Sequence, residues 1–153
     1  MLHKALLLVC CVASVPLFGA KVDLEKPLFR ILSTESVKTE CEGKVNTACT
    51  TFSNSVMSCT CDFTHGRWSA AVSITSQPNI IVSHQTYLHH EMSHVFDFKM
   101  AMNTFAEKVE EQAFQSRETC ETFARDAIRV FPQVLRDYRR ASMFMRDGMV
   151  EGK

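Results

Sequence analysis

The chain has 153 residues, which is enough for one folded domain and too short for two domains of ordinary size. It carries 17 basic and 17 acidic residues, interspersed along the sequence, so its formal net charge is zero. This balance argues against a nucleic-acid partner or an anionic membrane surface, because both attract an excess of positive charge.

The N-terminus has the layout of a secretory signal peptide, which we assign to residues 1–20. Met1–Lys4 is a short basic start, Ala5–Phe18 is almost continuously apolar, and small residues end the segment. We expect cleavage after Ala20, which leaves residues 21–153 as a single secreted or periplasmic domain. The apolar run is too short to span a bilayer stably, so no membrane span is expected after cleavage. An uncleaved anchor is the alternative.

The mature chain would keep five cysteines: Cys41, Cys49, Cys59, Cys61 and Cys120. In an exported protein, cysteines in this number predict disulfide bonds. Cys59 and Cys61 are too close in sequence to pair with each other easily, so we expect them to bond to different partners. The odd count leaves one thiol free or intermolecular, and the pairing stays open.

The N-terminal half of the mature chain predicts a small sheet. Residues 21–66 are rich in Thr, Ser, Asn and Cys without helical periodicity, which indicates short strands and loops joined by disulfides. Trp68–Thr75 alternates like a strand, Gln77–Asn79 is a turn signal, and Asn79–Ser83 is typical of a second short strand. The predicted fold class is α+β, with this disulfide-stapled sheet followed by two or three helices.

From Thr86 onward, helix-forming residues dominate. The first predicted helix is expected to bury an apolar face made of Leu88, Met92, Val95, Phe96 and Met100. A break is predicted at Asn103, because Thr104–Glu107 has the form of a capping box. The second helix would run to about Phe131, and Pro132 would begin a third. The last helix carries arginines that we interpret as a solvated face: Arg136, Arg139 and Arg140.

The most specific signal lies in the first predicted helix, where His90, Glu91 and His94 form an H-E-x-x-H motif. A spacing of four residues puts His90 and His94 on one helix face, where both imidazoles can reach one metal ion. Glu91 is rotated away from that pair, at the position that a general base requires. The alternative is a histidine-rich helix face with Glu91 as an ordinary solvated carboxylate.

A catalytic zinc site usually has three protein ligands, so one more is expected. Asp97 lies one turn beyond His94, but three ligands from one straight helix are geometrically awkward. We expect Asp97 to orient a histidine through its other ring nitrogen, with an ordinary ion pair as the alternative. Glu121 is the preferred third ligand, because the small Ala124 one turn on would let two helices approach closely. Glu118 is the alternative ligand, and either carboxylate is otherwise a surface acid.

This arrangement resembles the zincin metallopeptidases, and within them the Glu-ligand branch called gluzincins. The resemblance rests on His90, Glu91 and His94, the preceding strand, and the helix with Glu-x-x-Ala at 121–124. It covers about residues 68–131 and is similar to the compact zincin domains of many bacterial proteases. The five-residue motif is specific for the superfamily and says little about substrate.

The resemblance implies a zinc ion, Zn²⁺, held by the two motif histidines and Glu121. Glu91 would take a proton from water as it attacks a peptide bond, in a peptide or protein substrate. Asn79–Ser83 would be an edge strand that aligns the peptide. The sequence departs from the gluzincin pattern at one point, because the Asp that often follows that Ala is displaced to Asp126. Met100 stands where the metzincin branch has its third ligand, which argues against that branch.

Two other functions compete with a zinc-dependent metallopeptidase. One is a non-catalytic zinc-binding module that has the helix without the activity, and the other is a disulfide-stabilised secreted interaction domain. A further donor to the developing oxyanion is usually wanted in an enzyme, and His84, Tyr87 and His89 are the nearby candidates. The sequence does not choose among these three, and it leaves the oligomeric state open.

Overall fold

A computed structural model gives the structure of the protein and describes residues 21–43, 45 and 47–147. The predicted signal peptide at residues 1–20 lies outside this range and stays a prediction. The described elements form a five-stranded sheet and three α-helices, with two strands and one helix preceding a long hairpin. This arrangement confirms the predicted α+β class.

The sheet is built on a hairpin of two long strands, β3 (Ala48–Thr64) and β4 (Arg67–Val82). The connecting residues His65 and Gly66 have positive φ angles of 52° and 78°. A two-residue turn of this kind matches the twist of antiparallel strands, and glycine adopts it without steric cost. The prediction of short strands is therefore wrong for residues 48–82, which form two long strands, and it is confirmed for residues 21–31, which contain two strands of four residues.

β4 is the interior strand of the sheet. β3 occupies one edge of β4 along its whole length, and three short strands pair with the opposite edge. β1 (Lys21–Leu24) and β2 (Leu28–Ile31) run parallel to β4, and β5 (Ala113–Phe114) runs antiparallel to it. The prediction that Asn79–Ser83 forms an edge strand is wrong, because β2 and β3 flank this stretch.

The turn predicted at Gln77–Asn79 is absent, and β4 runs straight through Pro78. Pro78 stands opposite Phe52 of β3, and its ring lacks the N–H that a ladder normally uses. On the other edge of β4, pairing with β1 ends at Ser76 and pairing with β2 begins at Asn79. The proline therefore falls in a gap between two short strands, where no ladder bond is lost.

Two long helices cover one face of the sheet. A 3-10 turn (Gln85–Tyr87) leads into α2 (Leu88–Glu110), and α3 (Arg117–Asp147) follows β5. Their main core cluster combines side chains from the strands and from both helices: Val22, Phe52, Met57, Ala70, Val72, Ile74, Phe98, Met102, Ala106, Val109, Ala127 and Phe131. Burial of these side chains is the main stabilising contribution to the fold.

The other face of the sheet is covered at one end by α1 (Thr34–Glu40). The Ser33 side chain caps this helix by accepting a hydrogen bond from the Ser36 N–H at 3.2 Å. Val37 and Cys41 pack on Ile81, which is 2% exposed. α1 therefore lies behind the same end of the sheet at which α2 begins.

α2 continues without a break through Asn103, so the predicted helix boundary is wrong. Its buried positions repeat every three or four residues to its end: Val95, Phe98, Met102, Ala106 and Val109. This apolar face holds the helix together where the capping box suggests a new start, and Thr104 Oγ1 donates to the Met100 carbonyl at 3.0 Å. The predicted apolar face is partly wrong, because Met92, Phe96 and Met100 are exposed.

α3 is also continuous, and Pro132 lies inside it. The proline removes the hydrogen bond to the Ile128 carbonyl, four residues earlier. Pro132 is exposed, so water can satisfy that carbonyl, while Ala127 and Phe131 remain packed in the core. The prediction that Pro132 begins a new helix is therefore wrong.

Two disulfides link the chain, one across a sequence separation of 8 and one across a separation of 59. Cys41 bonds to Cys49, and Cys61 bonds to Cys120, with Cα–Cα distances of 6.0 and 6.1 Å. Cys59 has a free thiol, so the expectation that it bonds to another cysteine is wrong. The predictions that Cys59 and Cys61 do not pair and that one cysteine is left over are confirmed. The disulfides indicate an oxidising, extracellular compartment. Among the helices of the described range, none is long and apolar enough to cross a membrane.

Candidate metal centre

The three motif side chains lie in the first two turns of α2. The preceding 3-10 turn is capped by His84, whose Nδ1 accepts a hydrogen bond from the Thr86 N–H at 3.2 Å. The helix then starts at Leu88 and brings His90 and His94 onto one face, with their Nε2 atoms 3.3 Å apart. The local spacing of the motif thus produces the convergence that the sequence predicts.

The separation of the two imidazoles fits a shared metal ion. Two nitrogen ligands at 2.0–2.1 Å from a tetrahedral zinc stand about 3.3 Å apart. The two Nε2 atoms show this distance, and one ligand atom each of His90, Glu91 and His94 lie within 4.8 Å of one another. The described residues therefore contain a group with the donor types and spacing for one cation.

Glu91 is buried, with only 4% of its surface exposed. Its carboxylate accepts a hydrogen bond from Thr50 Oγ1 of β3 at 2.7 Å. The same hydroxyl lies 3.1 Å from the Glu91 carbonyl oxygen, so it fixes both the side chain and the helix turn. Burying an ionised carboxylate is costly unless donors surround it, which makes Thr50 part of the support of this group.

An aromatic cluster between β3, α2 and α3 packs next to the motif. Phe52 of β3 stacks on Phe98 of α2, with ring centroids 3.8 Å apart, and Tyr138 of α3 packs edge-on against both rings. The Tyr138 hydroxyl donates to the His94 carbonyl oxygen at 3.3 Å. The three elements that carry the site are therefore locked together one turn from the second histidine.

A groove of about 770 Å³ opens over the motif. Its walls come from the end of α1, the start of β3, the start of α2 and the last third of α3. The motif side chains line its floor, and the Cys41–Cys49 disulfide lines one wall. This volume is in the range of small-molecule and peptide sites, so the group is open to a ligand.

The structure does not bring Glu121 to the histidines. Glu121 forms an ion pair with Arg117 at 2.6 Å and lies near Cys61 at the other end of the molecule. The 17 residues from Glu121 to Tyr138, which contacts His94, span about 25 Å of helix. Glu118 is one turn farther away, in the first turn of α3.

Glu121 lies far from the histidines because the chain reverses direction between α2 and α3 later than predicted. With a turn at Asn103, residues near 121 would face the motif. The chain instead reverses after Glu110, and antiparallel pairing sets Phe105 against Phe131 and Phe114 near Phe123. The residues of α3 that reach the groove are consequently Tyr138, Arg139, Arg140 and Ser142. These residues were not predicted, because the local signal at Asn103 indicated a turn earlier in the chain than the one that forms.

The remaining predicted site residues lie close to the motif without lining the groove. Asp97 is half-buried, one turn beyond His94, and its role toward a histidine stays a prediction. The His84 side chain is used as the cap of the 3-10 turn, while Tyr87 and His89 are exposed at the start of α2. None of these three residues lines the groove.

No protein-family model, curated protein or solved structure matches this chain. The resemblance to zincins therefore rests on the motif and its geometry alone. What the structure adds to the motif is its setting: converging imidazoles, a buried carboxylate and an open groove.

Proposed function

We propose that this protein is an exported zinc-dependent peptidase. The observation that carries the proposal is the 3.3 Å separation of His90 Nε2 and His94 Nε2 beside the buried Glu91 carboxylate. Both imidazoles would bind zinc as neutral ligands. When bound, zinc supplies a Lewis acid that acidifies water and polarises a peptide carbonyl.

Glu91 would serve as the general base and then as the general acid. Its carboxylate is held by Thr50 Oγ1 within 4.8 Å of the ligand nitrogens, so it can receive a proton from water and return it to the leaving amine. Because the helix turn around Glu91 is also tied to Thr50, the carboxylate keeps its direction without substrate. Such preorganisation is what a proton-transfer group requires.

The outer edge of β3 supports a peptide as the substrate. Thr50 and Phe52 stand opposite Ile80 and Pro78, in the register in which strand pairs exchange no hydrogen bond with each other. Their backbone N–H and C=O groups therefore point away from β4, and both residues line the groove. An extended peptide can add to this edge as a further strand and pass across the motif.

A non-catalytic metal-binding module is the second candidate. Within the described residues, the group contains His90, Glu91 and His94, and no other His, Cys, Asp or Glu joins it. With Glu91 as the base, two histidines remain as metal ligands. Such a site binds zinc more weakly than the three-ligand sites of most zinc enzymes. A disulfide-stabilised interaction domain without metal is the remaining alternative.

Metal content of the folded mature protein tests the proposal. We expect about one zinc per chain, lost in His94→Ala and retained in His89→Ala, which removes a neighbouring exposed histidine outside the group. Cleavage of a peptide mixture, read by mass spectrometry, should follow zinc and stop in Glu91→Gln. Zinc without cleavage would favour the module, and a folded protein without zinc would refute both metal-dependent functions.

A further inference from the structure

Two arginines near the C-terminal end of α3 line the groove. Arg139 extends to β3, where its Nη2 donates to the Phe52 carbonyl oxygen at 3.0 Å. Arg140 lines the same groove as the motif residues. Both side chains are exposed, which confirms the predicted solvated face, and the docking of α3 places that face beside the candidate site.

Within the part of the chain that the structure describes, their charges face the groove without a carboxylate partner. Among the described residues, neither arginine forms an ion pair. On the opposite wall, Glu40 is paired with Arg30 at 3.0 Å, and Glu42 is also engaged. A guanidinium presents five N–H donors, and Arg139 uses one of its nitrogens on Phe52.

Arg139 lies at the point where a peptide paired with the edge of β3 would leave that strand. Phe52 lies two residues from Thr50, which is about 7 Å along a strand. At Phe52 the outward carbonyl of β3 already accepts a hydrogen bond from Arg139, so the N–H of an added strand would compete with the guanidinium there. A chain paired with Thr50 therefore meets a guanidinium within one or two residues of the motif.

We propose that Arg139 and Arg140 form a carboxylate-binding subsite at the end of the groove; this inference rests on the proposed peptidase function. Guanidinium groups bind carboxylates through paired, charge-assisted hydrogen bonds. The carboxylate comes from the C-terminus of the substrate or from an acidic side chain near the cleaved bond. The first source makes the protein a carboxypeptidase-type enzyme, and the second makes it selective for acidic sequences.

Equilibrium binding to zinc-loaded Glu91→Gln protein tests the subsite without turnover. The probes are N-acetyl-Ala-Ala-Ala as the free acid and as the C-terminal amide, and the amides of N-acetyl-Ala-Glu-Ala and N-acetyl-Ala-Gln-Ala. We expect the carboxylate-bearing member of one pair to bind about 10-fold tighter or more, as measured by calorimetry. Discrimination by the first pair identifies the C-terminus, and by the second pair an acidic side chain.

Arginine variants in the same background decide whether the subsite is responsible. Arg139→Gln and Arg140→Gln should each reduce the discrimination several-fold, while Arg140→Lys should retain most of it. Arg136→Gln is the matched control, because its guanidinium bonds Gln133 on the same helix and does not line the groove. Equal binding within both pairs, no binding of any probe, or discrimination that survives both Gln variants would overturn the proposal. Failure of the peptidase function instead appears as absent zinc or absent cleavage in the unmodified protein.

Discussion

Two carboxylates near opposite ends of α2 have similar contacts with the sheet. Glu91 accepts a hydrogen bond from Thr50 Oγ1 at 2.7 Å, and Glu110 accepts one from the Val72 N–H at 2.7 Å. Glu110 occupies the gap on β4 between β5 and β1, where no described residue pairs with Val72 on that side. Each side chain therefore holds the helix to a strand that lies beneath it.

The neighbours of the two carboxylates differ. Glu91 shares its surroundings with two imidazoles and an open groove, whereas Glu110 lies near Glu107 and the Cys59 thiol. Burial raises the pKa of Glu110 and that of Cys59, and a neighbouring acid adds to each shift. The hydrogen bond from the Val72 N–H offsets part of the shift of Glu110. A partly buried carboxylate is thus not a site in itself. Converging metal-ligand nitrogens and access from solvent distinguish the motif end from the other end.

The largest expected effect is a difference in kcat between two variants, each of which neutralises one of these carboxylates. Glu91→Gln removes the proposed base and should lower kcat for peptide hydrolysis by about 10²- to 10⁴-fold. Glu110→Gln is the matched control on the same helix and should leave kcat within about twofold. Equal losses in both variants would mean that Glu91 acts on α2 packing rather than on the reaction.

Removing the disulfides separately compares the covalent links at the two ends. Cys61 and Cys120 close a loop of sequence separation 59, and Cys41 and Cys49 one of 8. The chain-entropy relation predicts a loss of about 4 kcal/mol in unfolding free energy for the first pair and about 2.5 kcal/mol for the second. Urea unfolding of the two double Cys→Ala variants measures this order. A larger loss of unfolding free energy on removal of Cys41–Cys49 would contradict this order and would show that the disulfide at the groove wall stabilises the fold more.

Thr50→Val tests whether the buried Glu91 depends on the hydroxyl of β3. The variant keeps the shape of the side chain but removes one donor from a carboxylate that is 4% exposed. We expect a loss of about 1–3 kcal/mol in the free energy of unfolding, measured in urea at neutral pH. Thr51→Val, at an exposed position on the next residue, should change stability by less than about 0.5 kcal/mol. Similar values for both variants would contradict the supporting role of Thr50.

The smallest expected effect concerns the pH dependence that Glu110 contributes. Its pKa is raised above the ordinary 4.5 by burial, so the folded state holds this proton more tightly than the unfolded chain. The resulting stability is complete below pH 4.5 and is lost as pH rises through the folded pKa. Glu110→Gln should therefore gain stability relative to the unmodified protein between pH 4 and 7. The gain should stay below about 1 kcal/mol, because solvent screens a half-buried group.

Urea unfolding at pH 4, 5.5 and 7 measures that gain. Glu111→Gln, which alters the exposed neighbour of Glu110, is the control and should give a curve parallel to that of the unmodified protein. Parallel curves for Glu110→Gln as well would show that its environment does not differ between the folded and unfolded states.

The site could be predicted from the sequence where it depends on local geometry. The spacing of His90 and His94 fixes their position on one helix turn, and no distant residue is needed to bring them together. The closeness of Cys59 and Cys61 in sequence likewise showed that they do not pair with each other, although it did not show that Cys59 stays unbonded. The α+β class followed from the change of pattern near Thr86.

The parts that could not be predicted depend on contacts between distant residues. Local signals at Pro78, Asn103 and Pro132 each indicate an interruption, and in each case the element continues because its packing outweighs the local preference. The length of α2 then decides which part of α3 faces the motif. Whether Glu121 faces the motif could be predicted correctly only if the length of α2 were known, and no residue near Glu121 determines that length.

The groove draws its walls from chain segments that are far apart, from Glu40 at one extreme to Ser142 at the other. During synthesis the motif helix is complete before the facing turns of α3 have been made. A partly made chain can carry the metal-ligand motif but lacks Tyr138 and Arg139, which close the site over β3. The groove is therefore complete only after α3 has been made, so the proposed hydrolytic activity would require the finished chain.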